Sequence, residues 1–174
     1  MKRIILYITS SIDGRIAGPE AIESFREYPA SESLNRDYRE FTASIDTVIM
    51  GGKTYRELLT RDIVWPYGDR TTYVISRHDW GAKDTVRFIT GNIAETVGKL
   101  RTEPGRDIWL TGGGETVSML LKAGLVDEMR ILYLPVILGG GAPLFPGQPR
   151  TSQWVLSRSR EYDNGVVEHR YTKR

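Results

Sequence analysis

Twice in this chain an apolar strand runs straight into glycines and then into a short amphipathic helix, a pattern that few architectures accommodate. At 108–116 the sequence reads Ile-Trp-Leu-Thr-Gly-Gly-Gly-Glu-Thr. The following helix is predicted over 115–123, with Val117, Leu120 and Leu121 at i, i+3 and i+4 and Gly124 placed to stop it. Earlier, a strand over 46–50 meets Gly51-Gly52, and a helix from about Lys53 to Leu59 turns Tyr55, Leu58 and Leu59 inward. Glycines at such junctions let backbone N–H groups approach an anion, and the positive end of the next helix favours negative charge there. A plain tight turn needs glycine too, so the phosphate reading requires support from the rest of the chain. The triple-glycine turn lacks the Lys-Ser/Thr ending of a P-loop. Its Gly112, Gly114, Val117 spacing also departs from the dinucleotide fingerprint of classical Rossmann domains.

That support comes from the order of elements. A buried strand is predicted over 3–9, then a polar loop, then a helix over 31–43 with Leu34, Tyr38 and Phe41 on one face. Strands follow at 71–76 and 86–89. Asn92 with Glu95 reads as a capping box opening a helix that runs to about Thr102, before Pro104-Gly105. After the triple glycine and its helix come a long strand over 128–138, a second glycine cluster at 139–141, and two closing strands near 154–159 and 166–172. Strands that alternate with helices through residue 127 predict a mainly parallel α/β sheet, because parallel neighbours need crossover connections. The closing pair has no helix between its strands and predicts an antiparallel hairpin. Ligands of such sheets bind at the carboxyl ends of strands, where Gly51-Gly52, Ser76-Arg77 and Gly112–Gly114 all fall. Three anion-binding seats on one rim point to a phosphate-bearing ligand.

Composition narrows the partners. A 174-residue chain with 40% hydrophobic residues supports one core and a single domain over 1–174. Its 24 basic and 22 acidic residues are scattered, which argues against nucleic acid. The absence of cysteine excludes disulfides and thiolate metal sites, and His78 and His169 stand too far apart in sequence to suggest a histidine metal site. The apolar stretch Ile4 to Ile8 is too short for a signal or a membrane span, so a cytoplasmic location is expected.

Lys53 and Thr54 sit in the first turn after Gly51-Gly52, where a cation, a hydroxyl and free N–H groups can share one phosphate, and Ser76 and Arg77 can hold another. A ligand with a diphosphate plus a separate phosphate satisfies all three turns, and NADPH is such a molecule.

The motifs taken together resemble the dihydrofolate reductase superfamily, in the branch of the reductase half of the bifunctional riboflavin-biosynthesis deaminase-reductase. The run 48–55, Val-Ile-Met-Gly-Gly-Lys-Thr-Tyr, is similar to that family's strand-to-helix cofactor motif. Pro66 to Arg70 resembles its Pro-x-Gly loop, Val74 to Arg77 its adenine-side segment and Thr111 to Glu115 its pyrophosphate turn. Gly141 through Phe145-Pro146 resembles the late Gly-x-x-x-Phe-Pro loop. Ser11 to Ala17 and Gly124 to Glu128 are closer to the riboflavin branch than to true dihydrofolate reductases. The resemblance spans nearly the whole chain and implies a three-layer fold of the dihydrofolate reductase type, with helices on both faces of the sheet. It implies that Gly51, Gly52, Lys53 and Thr54 meet cofactor phosphate, that Ser76 and Arg77 meet the adenosine 2′-phosphate, and that Gly112, Gly113, Gly114, Glu115 and Thr116 meet the diphosphate. Thr9 and Ile16 would flank the nicotinamide. The family often carries Arg where Gly52 stands, and Lys53 is the expected substitute.

The implied activity is NADPH-dependent reduction of a C=N or C=O in a pyrimidine or pteridine-like compound, such as the 5-amino-6-(5-phosphoribosylamino)uracil of riboflavin synthesis. The chain has no deaminase zinc ligands and would act as a stand-alone reductase. Hydride transfer needs a proton as well, and a carboxyl group or ordered water serves. The position of the dihydrofolate reductase acid falls on Asn35, which argues against dihydrofolate as substrate. Asp37, two residues on, and Asp13 are the candidate acids, each with an ordinary alternative: a solvated helix residue for Asp37 and a turn residue for Asp13. Tyr7 and Tyr38 are candidate aromatic walls for a flat heterocycle, although core packing is the commoner use of such residues. Reduction of dihydrofolate and nucleotide binding without catalysis are the alternative functions. The closing hairpin, with Trp154 and Tyr162 near it, offers an edge for a homodimer of the kind the family often forms.

Overall fold

A computed structural model describes residues 1–17, 29–61, 63–147 and 150–174. Its main sheet has eight strands: β1 (Ile4–Ser11), β3 (Ile45–Gly51), β4 (Thr71–Ile75), β5 (Val86–Ile89), β6 (Asp107–Gly112), β7 (Glu128–Leu134), β9 (Trp154–Glu161) and β10 (Val167–Lys173). The spatial order is β5-β4-β3-β6-β1-β7-β10-β9. All pairings from β5 to β7 are parallel, and β10 is antiparallel to both β7 and β9, which gives the expected mixed sheet with a closing hairpin. A second small sheet pairs β2 (Arg15–Ala17) with β8 (Ala142–Pro143).

Four helices among the described residues complete the layers: α1 (Glu32–Ala43), α2 (Gly52–Leu59), α3 (Ile93–Leu100) and α4 (Gly114–Lys122). Alternation along the strands divides the core in two. Ile4 and Leu6 of β1 pack with Val97, Leu100, Val117 and Leu120 of α3 and α4. Ile5 and Tyr7 pack on the opposite face with Phe41 of α1 and Tyr55 of α2. Chain crossovers on both faces thus make a three-layer sandwich whose buried strands are apolar on both sides.

Helix termini follow the sequence in two places and depart from it in a third. Ser31 caps α1, its hydroxyl accepting the Leu34 N–H at 3.2 Å. Gly124, at φ +68°, ends α4: its N–H reaches Leu121 O and the Leu125 N–H reaches Leu120 O, each at 3.0 Å, the paired closure of a Schellman motif. The expected Asn92–Glu95 capping box does not form. Asn92 adopts a left-handed conformation (φ +45°) without a side-chain cap, and Glu95 pairs instead with Lys99 at 2.6 Å. The strand expected over 128–138 stops at Leu134, because Pro135 has no N–H for the ladder and Val136 N–H turns back to Leu134 O at 2.8 Å.

At the closing hairpin, Tyr162 lies 3% exposed and donates to Asp37 at 2.9 Å, so it anchors the hairpin to α1. The edge strand β9 remains largely exposed, with Val155 and Leu156 half in solvent. No helix of the described residues is long and apolar enough to cross a membrane. No cluster of three or more His, Cys, Asp or Glu that could hold a metal ion occurs among them.

Candidate active site

Strands β4, β3 and β6 are adjacent in the sheet, and the three turns that leave their carboxyl ends touch one another. A Cβ added at Gly51 would lie 2.7 Å from the Thr116 hydroxyl, one at Gly52 3.3 Å from the Ser76 side chain, and one at Gly113 3.2 Å from the Thr54 hydroxyl. Gly112 and Gly113 also take φ of +130° and +81°, which L side chains rarely adopt. The turn therefore requires glycine at Gly113 for conformation and for space. Gly51 and Gly113 are the N-caps of α2 and α4, and neither supplies a side-chain cap. The first-turn N–H groups of both helices are thus free of a capping side chain, the arrangement that binds phosphate oxygens.

From this rim a cleft of about 530 Å³ opens toward α1. Its floor is aromatic: Tyr7, Tyr38, Tyr67 and Trp109 line it, with the Tyr7 and Tyr38 rings 6.0 Å apart and Tyr67 edge-on to Trp109 at 5.6 Å. Burial raises the phenols of Tyr7 and Tyr38 above the ordinary tyrosine value and pushes Tyr67 up to about 12, so the floor stays uncharged near neutrality. One side wall is Leu34, Asn35 and Tyr38 of α1; the facing wall is Lys53, Thr54, Glu57 and Leu58 of α2, with Arg61 just beyond it. Thr9, Ile16 and Ala142 border the opening together with Gly113 and Gly114.

The family model for the RibD C-terminal domain matches residues 2–168. The chain belongs to that family. The uncharacterized Bacillus subtilis protein YwjB is 32% identical over 169 residues, covering 97% of each chain. A Shewanella sp. PV-4 crystal structure, provisionally assigned to riboflavin biosynthesis, superposes with a TM-score of 0.86 at 25% identity, covering 99% of both chains. A dihydrofolate reductase from Enterococcus faecalis, complexed with NADP(H) and RAB-propyl, matches with a TM-score of 0.67 at 16% identity over 98% of this chain and 96% of its own, which shows a shared fold.

Within this RibD C-terminal domain the candidate residues fall into three groups. Tyr7, Thr9, Ile16, Tyr38, Lys53, Thr54, Gly113 and Gly114 line the cleft. Gly51, Gly52, Ser76, Gly112 and Thr116 form the packed rim behind it. Arg77 is exposed just past Ser76, whose hydroxyl accepts the His78 N–H at 3.1 Å. Glu115 is exposed in the first turn of α4, where its carboxylate suits the helix dipole but repels a phosphate, so only its backbone N–H can serve an anion.

Both candidate acids stand apart from the cleft. Asp37 accepts from Arg160 at 2.5 Å and from the Tyr162 hydroxyl at 2.9 Å; it fastens α1 to the hairpin and is not among the cleft-lining residues. Asp13 is a loop clasp. Its carboxylate accepts from the Ser11 hydroxyl (2.6 Å), Leu138 N–H (3.1 Å) and Gly139 N–H (2.9 Å), which together hold its pKa down at about 2. A carboxyl so strongly ionised is a poor proton donor near neutrality. The clasp ties the β1–β2 turn to the glycine cluster at 139–141, and the β2–β8 pairing that follows places Ile16 and Ala142 at the cleft. The far end of that segment is fixed where Ser118 donates to Pro146 O at 2.7 Å and Pro146 packs on Gly114.

Sequence reasoning missed Glu57, Arg61, Tyr67 and Trp109 as cleft residues. For Glu57 and Arg61 the signal was present: with Lys53 they stand at i, i+4 and i+8, one stripe of α2 and its C-terminal extension.

Proposed function

We propose that the chain is an NADPH-dependent reductase that acts on a C=N or C=O of a pyrimidine or pteridine-like compound, of the 5-amino-6-(5-phosphoribosylamino)uracil reductase type. The observation that carries this reading is the continuity of three anion seats, on adjacent strand ends, with one aromatic-floored cleft. Membership of the RibD C-terminal domain family supports a reductase of this general kind.

The residues present fit the nucleotide. The uncapped first turns of α2 and α4, with Lys53, Thr54 and Thr116, would hold its diphosphate, and Ser76 and Arg77 its 2′-phosphate. Thr9, Ile16 and Ala142 would hold the nicotinamide end at the cleft opening. A bound dihydronicotinamide supplies hydride to the electrophilic carbon. The chain's own task is to orient the acceptor ring on Tyr7, Tyr38, Tyr67 and Trp109 and to keep bulk water off that face. With Asn35 on the α1 wall and Asp13 and Asp37 committed elsewhere, the α1 side offers no carboxyl for proton delivery among the described residues, and an ordered water is the proposed donor there. This disfavours dihydrofolate as the natural substrate. The exposed β9 edge is the place where a second copy would add in a homodimer.

Substrate-dependent oxidation of NADPH, followed at its absorbance band with a panel of aminopyrimidines, pterins and dihydrofolate, tests the reading. Turnover of a pyrimidine or pterin with dihydrofolate inert is the expected outcome. Turnover of dihydrofolate alone would overturn the substrate class, and tight NADPH binding without turnover of any of them would leave a nucleotide-binding protein.

A further inference from the structure

The two long walls of the cleft differ in charge. The α1 wall presents Leu34, Asn35 and Tyr38, which are neutral. The opposite wall presents Lys53 and Glu57 one turn apart on α2, about 6 Å along the axis, with Arg61 just past the helix C-terminus. Glu57 is the carboxylate among the described cleft-lining residues, and it is half-buried. Partners at i−4 and i+4 ordinarily pair with a glutamate on a helix surface, as Lys99 does with Glu95 in α3. Glu57 pairs with neither Lys53 nor Arg61 and makes no side-chain hydrogen bond among the described residues. Glu57 lines the same cleft as the aromatic floor suited to a flat ring, and among the described residues no donor occupies its carboxylate.

We propose that Glu57 is the specificity-determining residue of the cleft and that the substrate class it selects is a planar heterocycle with two adjacent N–H donors on one edge, as in a cyclic amidine or an aminopyrimidinone. This rests on the reading of the rim as the nucleotide seat, which leaves the remainder of the cleft to the second ligand. A carboxylate receives two parallel N–H donors through its two oxygens, a geometry that a ring lying on Tyr38 and Trp109 can offer edge-on. Recognition then comes from α2, the helix whose N-terminus also seats the nucleotide, and one rigid element sets the ring relative to the cofactor. An acceptor-only edge would face the Glu57 oxygens with lone pairs and be rejected.

The test uses the full chain saturated with NADPH and two probes. 2-Aminopyrimidin-4-one has the amino group and ring N–H side by side; pyrimidin-4-one keeps the ring and lacks the amino group. Binding of each is measured by calorimetry or ligand-observed NMR at up to millimolar concentration, for the wild type and for Glu57→Gln, with NADPH affinity measured on both. The expected result is a preference of about tenfold for the aminopyrimidinone in the wild type, lost in Glu57→Gln while NADPH affinity is unchanged. Equal affinity for the two probes in the wild type, binding of neither, or a preference that survives Glu57→Gln would overturn the proposal and leave the nucleotide seat standing. Failure of the wild type to bind NADPH would instead overturn the proposed function itself.

Discussion

The glycine rim and the aromatic-floored cleft meet at α2 but are built by opposite means. The rim consists of backbone and glycines on adjacent parallel strands, packed so closely that a single Cβ at Gly51 would meet Thr116 at 2.7 Å. The cleft consists of side chains drawn from β1, α1, α2, β6 and the loop around Tyr67, with open space between them. The rim is thus intolerant of added atoms; in the cleft, Tyr7 and Trp109 are fixed by the core they belong to, whereas Asn35, Glu57 and Arg61 are wall residues outside it that can change with little effect on the fold.

The largest effect is expected where the rim is tightest. Gly113→Ala combines a φ of +81° with a methyl group 3.2 Å from the Thr54 hydroxyl. NADPH affinity is expected to fall about a hundredfold in a fluorescence titration, with little change at the α1 wall. Unchanged affinity would show that the turn is not the nucleotide seat, and the contrast between the halves would lose its basis.

Asp37→Asn addresses the other half. It removes the charge that holds Arg160 and the Tyr162 hydroxyl against α1. The expected loss is about 2 kcal/mol of stability in chemical denaturation, with NADPH affinity unaltered in the folded protein. A full loss of turnover at unchanged stability would instead restore Asp37 as an acid and break the assignment made here.

Asp13→Asn probes the junction between the halves, since the clasp positions Ile16 and Ala142 at the cleft opening. Turnover is expected to fall about tenfold with nucleotide affinity nearly constant, because orientation is lost and the phosphate contacts are not. The carboxylate's folded-state pKa lies below its ordinary value, so the clasp is complete above about pH 4 and is lost as the pH falls toward about 2. Amide exchange at Leu138 and Gly139 should therefore be insensitive to pH-induced opening of the clasp at neutrality. Opening of those amides between pH 5 and 7, beyond intrinsic exchange, would show that the clasp does not depend on an ionised Asp13.

The smallest effect sharpens cofactor choice at the exposed end of the rim. Arg77→Ala is expected to weaken NADPH about fivefold and to leave NADH unchanged, as suits a solvated phosphate contact. Equal weakening of both would move Arg77 from the 2′-phosphate to another part of the nucleotide.

The same contrast explains what could be read from the chain beforehand. The three-layer sheet and the rim were legible because their signals are local: apolar runs of strand length, glycines at the strand ends and helical periodicity immediately after. The Asn92–Glu95 box failed because a left-handed backbone at Asn92 overrode a local pattern. The strand over 128–138 was overextended because the run Leu134-Pro135-Val136 looks apolar while Pro135 ends the ladder. The setting of Asp37 was not legible for a different reason: its partners Arg160 and Tyr162 lie more than a hundred residues away, and no local signal announces them. Glu57 and Arg61 were overlooked although their spacing from Lys53 was visible, since a charged stripe reads as solvated surface until the cleft beside it is known.

If the two glycine turns seat the phosphates of a nicotinamide nucleotide, backbone amide exchange with and without NADPH will register it at those turns. Protection concentrated in residues 51–54 and 113–116, and absent from the β9–β10 hairpin, is the predicted result. Saturating NADPH that leaves both turns unprotected would contradict it.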